Sequence, residues 1–268
     1  MTDPLIQAGV GLVTGAGSGI GQQICLALAK KGCTRIFMVD LVEPGLLQTQ
    51  RMIREISPHA KAIATIADVS DEESVKSMIS KCIETYGRLD FASNNAGIAM
   101  GNIPTTETDL KTFDRQHSVN FKGVYLCQKF ELMAMLKQEP LPGIERAARG
   151  SIVNTASLSG VAVLGGFSAY HSSKHAVVSI TRVDARQYGG QGIRINCVCP
   201  GVVDTPLLRS SPVSAKFIEM SEAQCPMNRL ISPAEIAEGV TFLHGSGASA
   251  INGIHLPIDG GALLFHVV

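Results

Sequence analysis

The alternation of short apolar runs with longer stretches of helical spacing constrains this chain more than any other feature. The apolar runs fall at 9–14, 35–39, 61–66, 89–94, 151–156, 193–198 and 254–258. Between them, helical patterns occupy 20–31, 44–56, 71–86, 107–137, 168–188 and 233–243. Such β-α alternation predicts an α/β fold with a parallel, doubly wound sheet and helices on both faces. The strand segments are dense in Val, Ile, Leu and Ala and show little polar alternation, as expected when neither sheet face meets water.

Local signals sharpen the boundaries. Ser70-Asp-Glu-Glu73 and Ser232-Pro-Ala-Glu235 both read as capping boxes. Gly32 and Gly87 stop their helices. Pro257 lies in the last strand, which puts that strand at a sheet edge, since proline cannot donate to a central ladder. No internal repeat or composition break marks a linker, so residues 1–268 read as one domain. Two segments stand outside the pattern: the polar loop 138–150, and the long irregular stretch 202–231 with Pro206, Pro212 and Pro226. A loop of that length in a compact domain is usually functional, and 202–231 is expected to cover a substrate.

Charge and cysteine usage exclude several classes. Twenty-three basic and 23 acidic side chains balance, and no long basic run points to nucleic acid or an anionic membrane. No apolar stretch is long enough for a membrane span, and the first residues lack the pattern of a secretory signal. The cysteines number seven and are scattered, which fits a reduced, cytoplasmic protein better than a disulfide framework. Cys197 and Cys199 alternate with Ile195 as on one face of a buried strand, and no second pair completes a metal site.

The first strand opens through Thr14-Gly15-Ala16-Gly17-Ser18-Gly19-Ile20-Gly21 into an amphipathic helix. Glycine lets backbone approach a pyrophosphate, and the helix N-terminus offers free N–H groups and a positive dipole end. Asp40 closes the second strand, where a carboxylate accepts hydrogen bonds from adenosine ribose hydroxyls and repels a 2′-phosphate. With no Arg or Lys in the loop and Leu41 following the Asp, NAD(H) is the expected cofactor, with NADP(H) as the alternative. Tyr170 and Lys174 lie four apart on a helix, hence on one face. A phenol needs a downward shift of about 3 units, roughly 4 kcal/mol, to act as a base at neutral pH. One ammonium at about 4 Å in an effective dielectric of about 20 supplies that much. His171 and His175 flank the pair and are expected to line or support the cleft.

These residues carry a family resemblance. T-G-x-x-x-G-x-G at 14–21, Asn94-Asn95-Ala96-Gly97, Asn120, Ser157, Tyr170-x-x-x-Lys174 and Pro200-Gly201 occur in the order of the short-chain dehydrogenase/reductase family, from about residue 9 to Gly261. The resemblance implies a single-domain Rossmann fold with a seven-stranded parallel sheet. It implies a cofactor site formed by Gly15, Ser18, Gly19, Ile20, Gly21, Asp40, Asp68, Val69, Asn95, Tyr170, Lys174, Pro200, Gly201, Val203 and Thr205. Tyr170 would be the general acid or base and Lys174 would lower its pKa. Ser157 would bind the substrate oxygen, and Asn120 would hold a water in the proton relay. The spacing from Asn120 to Ser157 is longer than usual, and the 138–150 loop accounts for the excess.

The function so implied is interconversion of a secondary alcohol and a ketone on a small hydrophobic or polycyclic molecule. The chain resembles members used in fungal secondary metabolism. An apolar pocket is expected from Val202, Val203, Leu207, Leu208, Val213, Phe217, Ile218 and Met220, facing Leu158, Val161, Val163, Leu164 and Phe167. Residues 204–226 are expected to form a lid. A homotetramer, or a homodimer, is expected from Val124, Leu126, Phe130, Met133 and Leu136 of the 107–137 helix and from the apolar end at 263–268. The alternatives are a site turned to cyclisation or isomerisation, and a binding scaffold without chemistry. No metal is implied.

Overall fold

All seven apolar runs form strands: β1 (Gly11–Thr14), β2 (Arg35–Asp40), β3 (Lys61–Ile66), β4 (Phe91–Asn94), β5 (Gly150–Thr155), β6 (Ile193–Pro200) and β7 (His255–Ile258). The computed structural model describes residues 2–101, 103–142, 148–163, 167–210 and 215–265. The strands make one parallel sheet in the order β3-β2-β1-β4-β5-β6-β7. The chain therefore builds outward from β1 and then crosses back to start again at β4. That reversal opens a crevice beyond the carboxyl ends of β1 and β4, the place where such sheets bind ligands. β7 with Pro257 is an edge strand, as its proline requires.

Both faces are covered because the strands are apolar on both sides. Leu12, Phe37 and Val39 enter the core beneath α4 (Glu72–Tyr86) and α6 (Val124–Met135), while Val13, Ile36 and Met38 enter the opposite one. The opposite core is closed by α2 (Gly19–Lys30), α3 (Glu43–Ile56) and α10 (Pro233–His244). Cys197 and Cys199 pack with Val177 and Val178 of α7 (Ser168–Tyr188), so their alternation does serve a buried strand face.

The structure departs from the sequence reading at four points. The 107–137 helix is broken: α5 (Leu110–His117) passes through a π-helical stretch, Ser118–Gly123, into α6. The extra residue per turn lets Asn120 turn inward, and such bulges recur at functional sites. The capping box at Ser70 does not form. Asp71 caps α4 by accepting from the Ser74 amide at 2.8 Å, because Ser70 spends its amide and hydroxyl on Asp68. Ser232 and Glu235 do form theirs. Finally, the irregular 202–231 stretch holds two short helices, α8 (Pro206–Ser210) and α9 (Ala215–Ala223), and an unforeseen α1 (Pro4–Ala8) begins the chain.

Candidate active site

Thr14 ties the two sides of the crevice together. Its hydroxyl oxygen accepts from the Asn95 amide at 3.0 Å and the Ala96 amide at 3.1 Å. The Asn95 side chain wedges under the glycine turn: a Cβ on Gly15 or Gly21 would stand 2.9 or 2.7 Å from its Nδ2. Gly15 and Gly19 also take left-handed φ angles of 67° and 52° that other residues rarely adopt. At the start of α2, the Ser18 side chain makes no capping bond, so the first-turn amides of Gly19, Ile20 and Gly21 are left for a ligand. Asp40 sits against this turn. Its Oδ2 accepts from the Gly17 amide at 2.9 Å and its Oδ1 from the Val42 amide at 3.0 Å. Farther along, burial works to raise the Asp68 carboxyl, but hydrogen bonds from Ser70 hold it below the usual range. Val69 beside it is buried against Gly123.

The far side of the crevice follows β6. The Gly201 amide donates to the Ile258 carbonyl at 3.1 Å, and a side chain there would collide with the Asp259 backbone at 2.9 Å. Val203 bridges to Ile231, and Thr205 packs over Gly19, whose added Cβ would meet it at 3.4 Å. Thr205 is thereby brought to the glycine turn, and its Oγ1 accepts from the Leu208 amide to start α8.

The catalytic candidates converge between these two walls. Tyr170, half-buried on α7, hydrogen-bonds the Ser157 side chain that follows β5. Lys174, one turn on, is 4% exposed and donates to the Thr155 carbonyl at 2.8 Å. The Thr155 hydroxyl donates to Asn95 Oδ1 at 3.4 Å, which links this pair to the glycine turn. Asn120 lies on the same spot: a Cβ on Gly97 would stand 3.3 Å from its Oδ1 and 3.6 Å from Lys174 Nζ. Its carboxamide accepts from the Ile98 amide at 2.8 Å and donates to the Ile98 carbonyl at 2.9 Å. The side chain thus fixes the backbone beside Tyr170 and Lys174.

The expected ammonium effect on Tyr170 is not produced by the chain alone. Lys174 Nζ lies 5.8 Å from the centre of the Tyr170 ring and is committed to Thr155. Burial pushes the phenol above its ordinary value, with the Ser157 bond opposing. Burial likewise pushes Lys174 down to about 8. In a dry site both groups favour their neutral forms, which spacing along a helix cannot reveal.

A small, partly open pocket lies over Tyr170. Phe167 lines it together with Met100, Gly101, Ile103, Thr108, Thr112, Gln116 and Ala169. Val203 and Leu158 are buried, whereas Val163 is 81% exposed. Leu164 and Val213 lie outside the described residues. Phe217 of α9 contacts the Phe167 ring, with centroids 6.4 Å apart. His171 is buried and bonds the Phe167 carbonyl; His175 is exposed.

Residues 15–262 match the family model described as enoyl-(acyl carrier protein) reductase. The chain belongs to the short-chain dehydrogenase/reductase family. It is an oxidoreductase of that family. Levodione reductase of Leifsonia aquatica is 36% identical over 260 residues, covering 93% of this chain and 92% of the relative. A levodione reductase crystal structure superposes with a TM-score of 0.88 at 36% identity, covering 95% of this chain and 97% of that one. Short-chain dehydrogenase fogB of Aspergillus ruber is 34% identical over 265 residues, covering 96% and 97%. The 3-ketoacyl-(acyl-carrier-protein) reductase of Brucella melitensis complexed with NADH gives a TM-score of 0.84 at 30% identity, covering 96% and 99%.

A nicotinamide dinucleotide fits the residues of this short-chain dehydrogenase/reductase. The uncapped amides of α2, the glycines of its turn and the Asp40 carboxylate form one continuous edge of the crevice that leads to Lys174 and Tyr170. Among the described residues no group of His, Cys, Asp and Glu could hold a metal ion, and no helix is long and apolar enough to cross a membrane.

Proposed function

We propose that this oxidoreductase interconverts a secondary alcohol and a ketone on a small hydrophobic or polycyclic metabolite, with NAD(H) preferred over NADP(H). The observation that carries the reading is the Tyr170–Ser157 hydrogen bond with Lys174 buried behind it, at the floor of a pocket whose walls include Met100, Ile103 and Phe167. When bound, the nicotinamide supplies or takes up the hydride. Tyr170 gives its proton to the substrate oxygen in reduction and recovers it in oxidation, while Ser157 hydrogen-bonds that oxygen. A phenol raised by burial is protonated at neutral pH, the state that reduction needs. Oxidation of the alcohol needs the phenolate, so its rate rises with pH.

The cofactor preference rests on Asp40, which would meet a 2′-phosphate with like charge. The two cations nearest in sequence are tied elsewhere: Lys31 pairs with Glu238 at 2.9 Å, and Arg35 donates to the Ala8 carbonyl. The seven cysteines are free and buried, which supports a reducing cytoplasm. Likeness to the fungal fogB protein supports a place in a fungal secondary-metabolite pathway.

Residues 204–226 serve as the lid in this reading, since neither α8 nor α9 has a buried residue to hold it shut. A homotetramer, or a homodimer, completes it. Val124 and Leu126 are spent on the chain's own core, but Leu110, Phe113, Tyr125 and Met133 leave an exposed apolar stripe along α5 and α6. The apolar end beyond 265 lies outside the described residues. The test is the loss of NADH absorbance on adding cyclic ketones, with NADPH in parallel; no cofactor consumption with any ketone, despite NADH binding, contradicts the reading.

A further inference from the structure

The pocket over Tyr170 contains a polar group that the redox chemistry does not use. Gln116, in the last turn of α5, lines the pocket and is only 3% exposed. Its Nε2 has no hydrogen-bond partner. Buried carboxamides are almost always paired, because a lost hydrogen bond to water is costly to leave unreplaced. The other polar side chains of the wall are already committed. Thr108 donates to the Pro104 carbonyl at 2.9 Å, Thr112 donates to Asp109 Oδ2 at 2.8 Å, and Tyr170 bonds Ser157. Among the described lining side chains, the uncommitted donor is therefore Gln116. Its nitrogen is occluded by the pocket walls, but the terminal amide torsion is broad and two-fold, so a half-turn presents either amide atom to the pocket at little cost.

We propose that Gln116 is a specificity-determining residue whose amide hydrogen-bonds a second oxygen of the substrate, so that preferred substrates carry a hydroxyl, carbonyl or ether oxygen away from the reacting carbon. The inference rests on the redox reading above. The rest of the wall, Met100, Ile103 and Phe167, accepts a hydrocarbon frame. A single buried donor among such groups discriminates by what it leaves unpaired: a substrate without the second oxygen keeps the amide desolvated and unbonded.

The test compares kcat/KM for cyclohexanone with that for its 3- and 4-hydroxy derivatives, using NADH and three proteins: wild type, Gln116→Leu and Gln116→Met. One neutral hydrogen bond gives the wild type a preference of about tenfold for the better hydroxyketone. In both variants that ratio falls to about one. Thermal unfolding identifies a variant that has lost its fold, and the wild-type ratio stands independently of either variant. Equal kcat/KM for plain and hydroxylated ketones in the wild type, or a preference surviving in both variants, overturns the inference and leaves the redox reading standing. A wild type that binds NADH but reduces none of these ketones overturns the redox reading, and the inference with it.

Discussion

Replacing Lys174 by methionine separates the cost of this side chain from its use. Burial holds its folded-state pKa near 8, against 10.5 for a free lysine; the Cys199 and Cys197 thiols oppose that shift. The difference corresponds to about 3 kcal/mol of destabilisation at neutral pH. Between these two values the unfolded chain binds more protons than the folded one. The cost is thus complete below the folded value and fades as pH rises toward the unfolded value. Methionine removes the cost but leaves the Thr155 carbonyl without its donor, a loss of about 1–2 kcal/mol. Lys174→Met should therefore be more stable than wild type by about 1–2 kcal/mol at pH 7, with the advantage shrinking by about 2 kcal/mol by pH 9.5. Burial raises the Cys25, Cys33, Cys82 and Cys127 thiols alike in both proteins, so their contribution cancels in the difference. Urea denaturation of cofactor-free protein at one fixed concentration measures both gaps. A gap that does not change with pH would refute the reasoning, since it would mean that the amine keeps an ordinary pKa. Turnover should be lost in the variant whatever its stability.

Three further expectations follow from the same geometry. Wild-type protein should bind NADH more tightly than NADPH, and Asp40→Ala should narrow that preference by about tenfold, about 1.4 kcal/mol; fluorescence titration of both cofactors decides, and tighter NADPH binding by the wild type contradicts it. Residues 206–210 and 215–223 should exchange amide hydrogens markedly more slowly once cofactor and a ketone are bound, whereas equal protection in both states means that selectivity lies in the α5 wall alone. Light scattering should give a tetramer or dimer mass that falls when Tyr125 and Met133 are both changed to Glu; a monomer mass for the wild type at micromolar concentration refutes the stripe as an interface.

Much of this arrangement is legible in the sequence because it rests on backbone. The glycines at 15, 17, 21 and 201 mark places where a Cβ would collide with its neighbours, and the apolar density of β1 through β6 announces two covered faces. Side chains whose partners come from distant elements are less legible. The π turn at 118–123 has no local signature, because it is the Ile98 backbone, 22 residues away in sequence, that draws Asn120 inward. The pocket wall formed by Met100, Gly101, Ile103, Thr108, Thr112 and Gln116 looks like an ordinary polar loop and helix start until the fold carries it over Tyr170. The same is true of the polar spine under the sheet. There Asn94 reaches Glu131 and Asn154, Asn154 reaches Gln128 and Thr181, and burial raises Glu131 to about 8. The Tyr170–Lys174 spacing places both side chains on one helix face but carries no information on their protonation states, which depend on how dry the site is.

Tyr170→Phe tests the central claim most directly, because it keeps the ring and removes the transferable proton. With a ketone that the wild type reduces, the variant's kcat should fall by about a thousandfold or more, within the range of general acid catalysis. NADH should still bind within about threefold of the wild-type affinity, since a change of that size is only about 0.7 kcal/mol. A variant that retains most of the wild-type rate would contradict the assignment of Tyr170 as the proton donor.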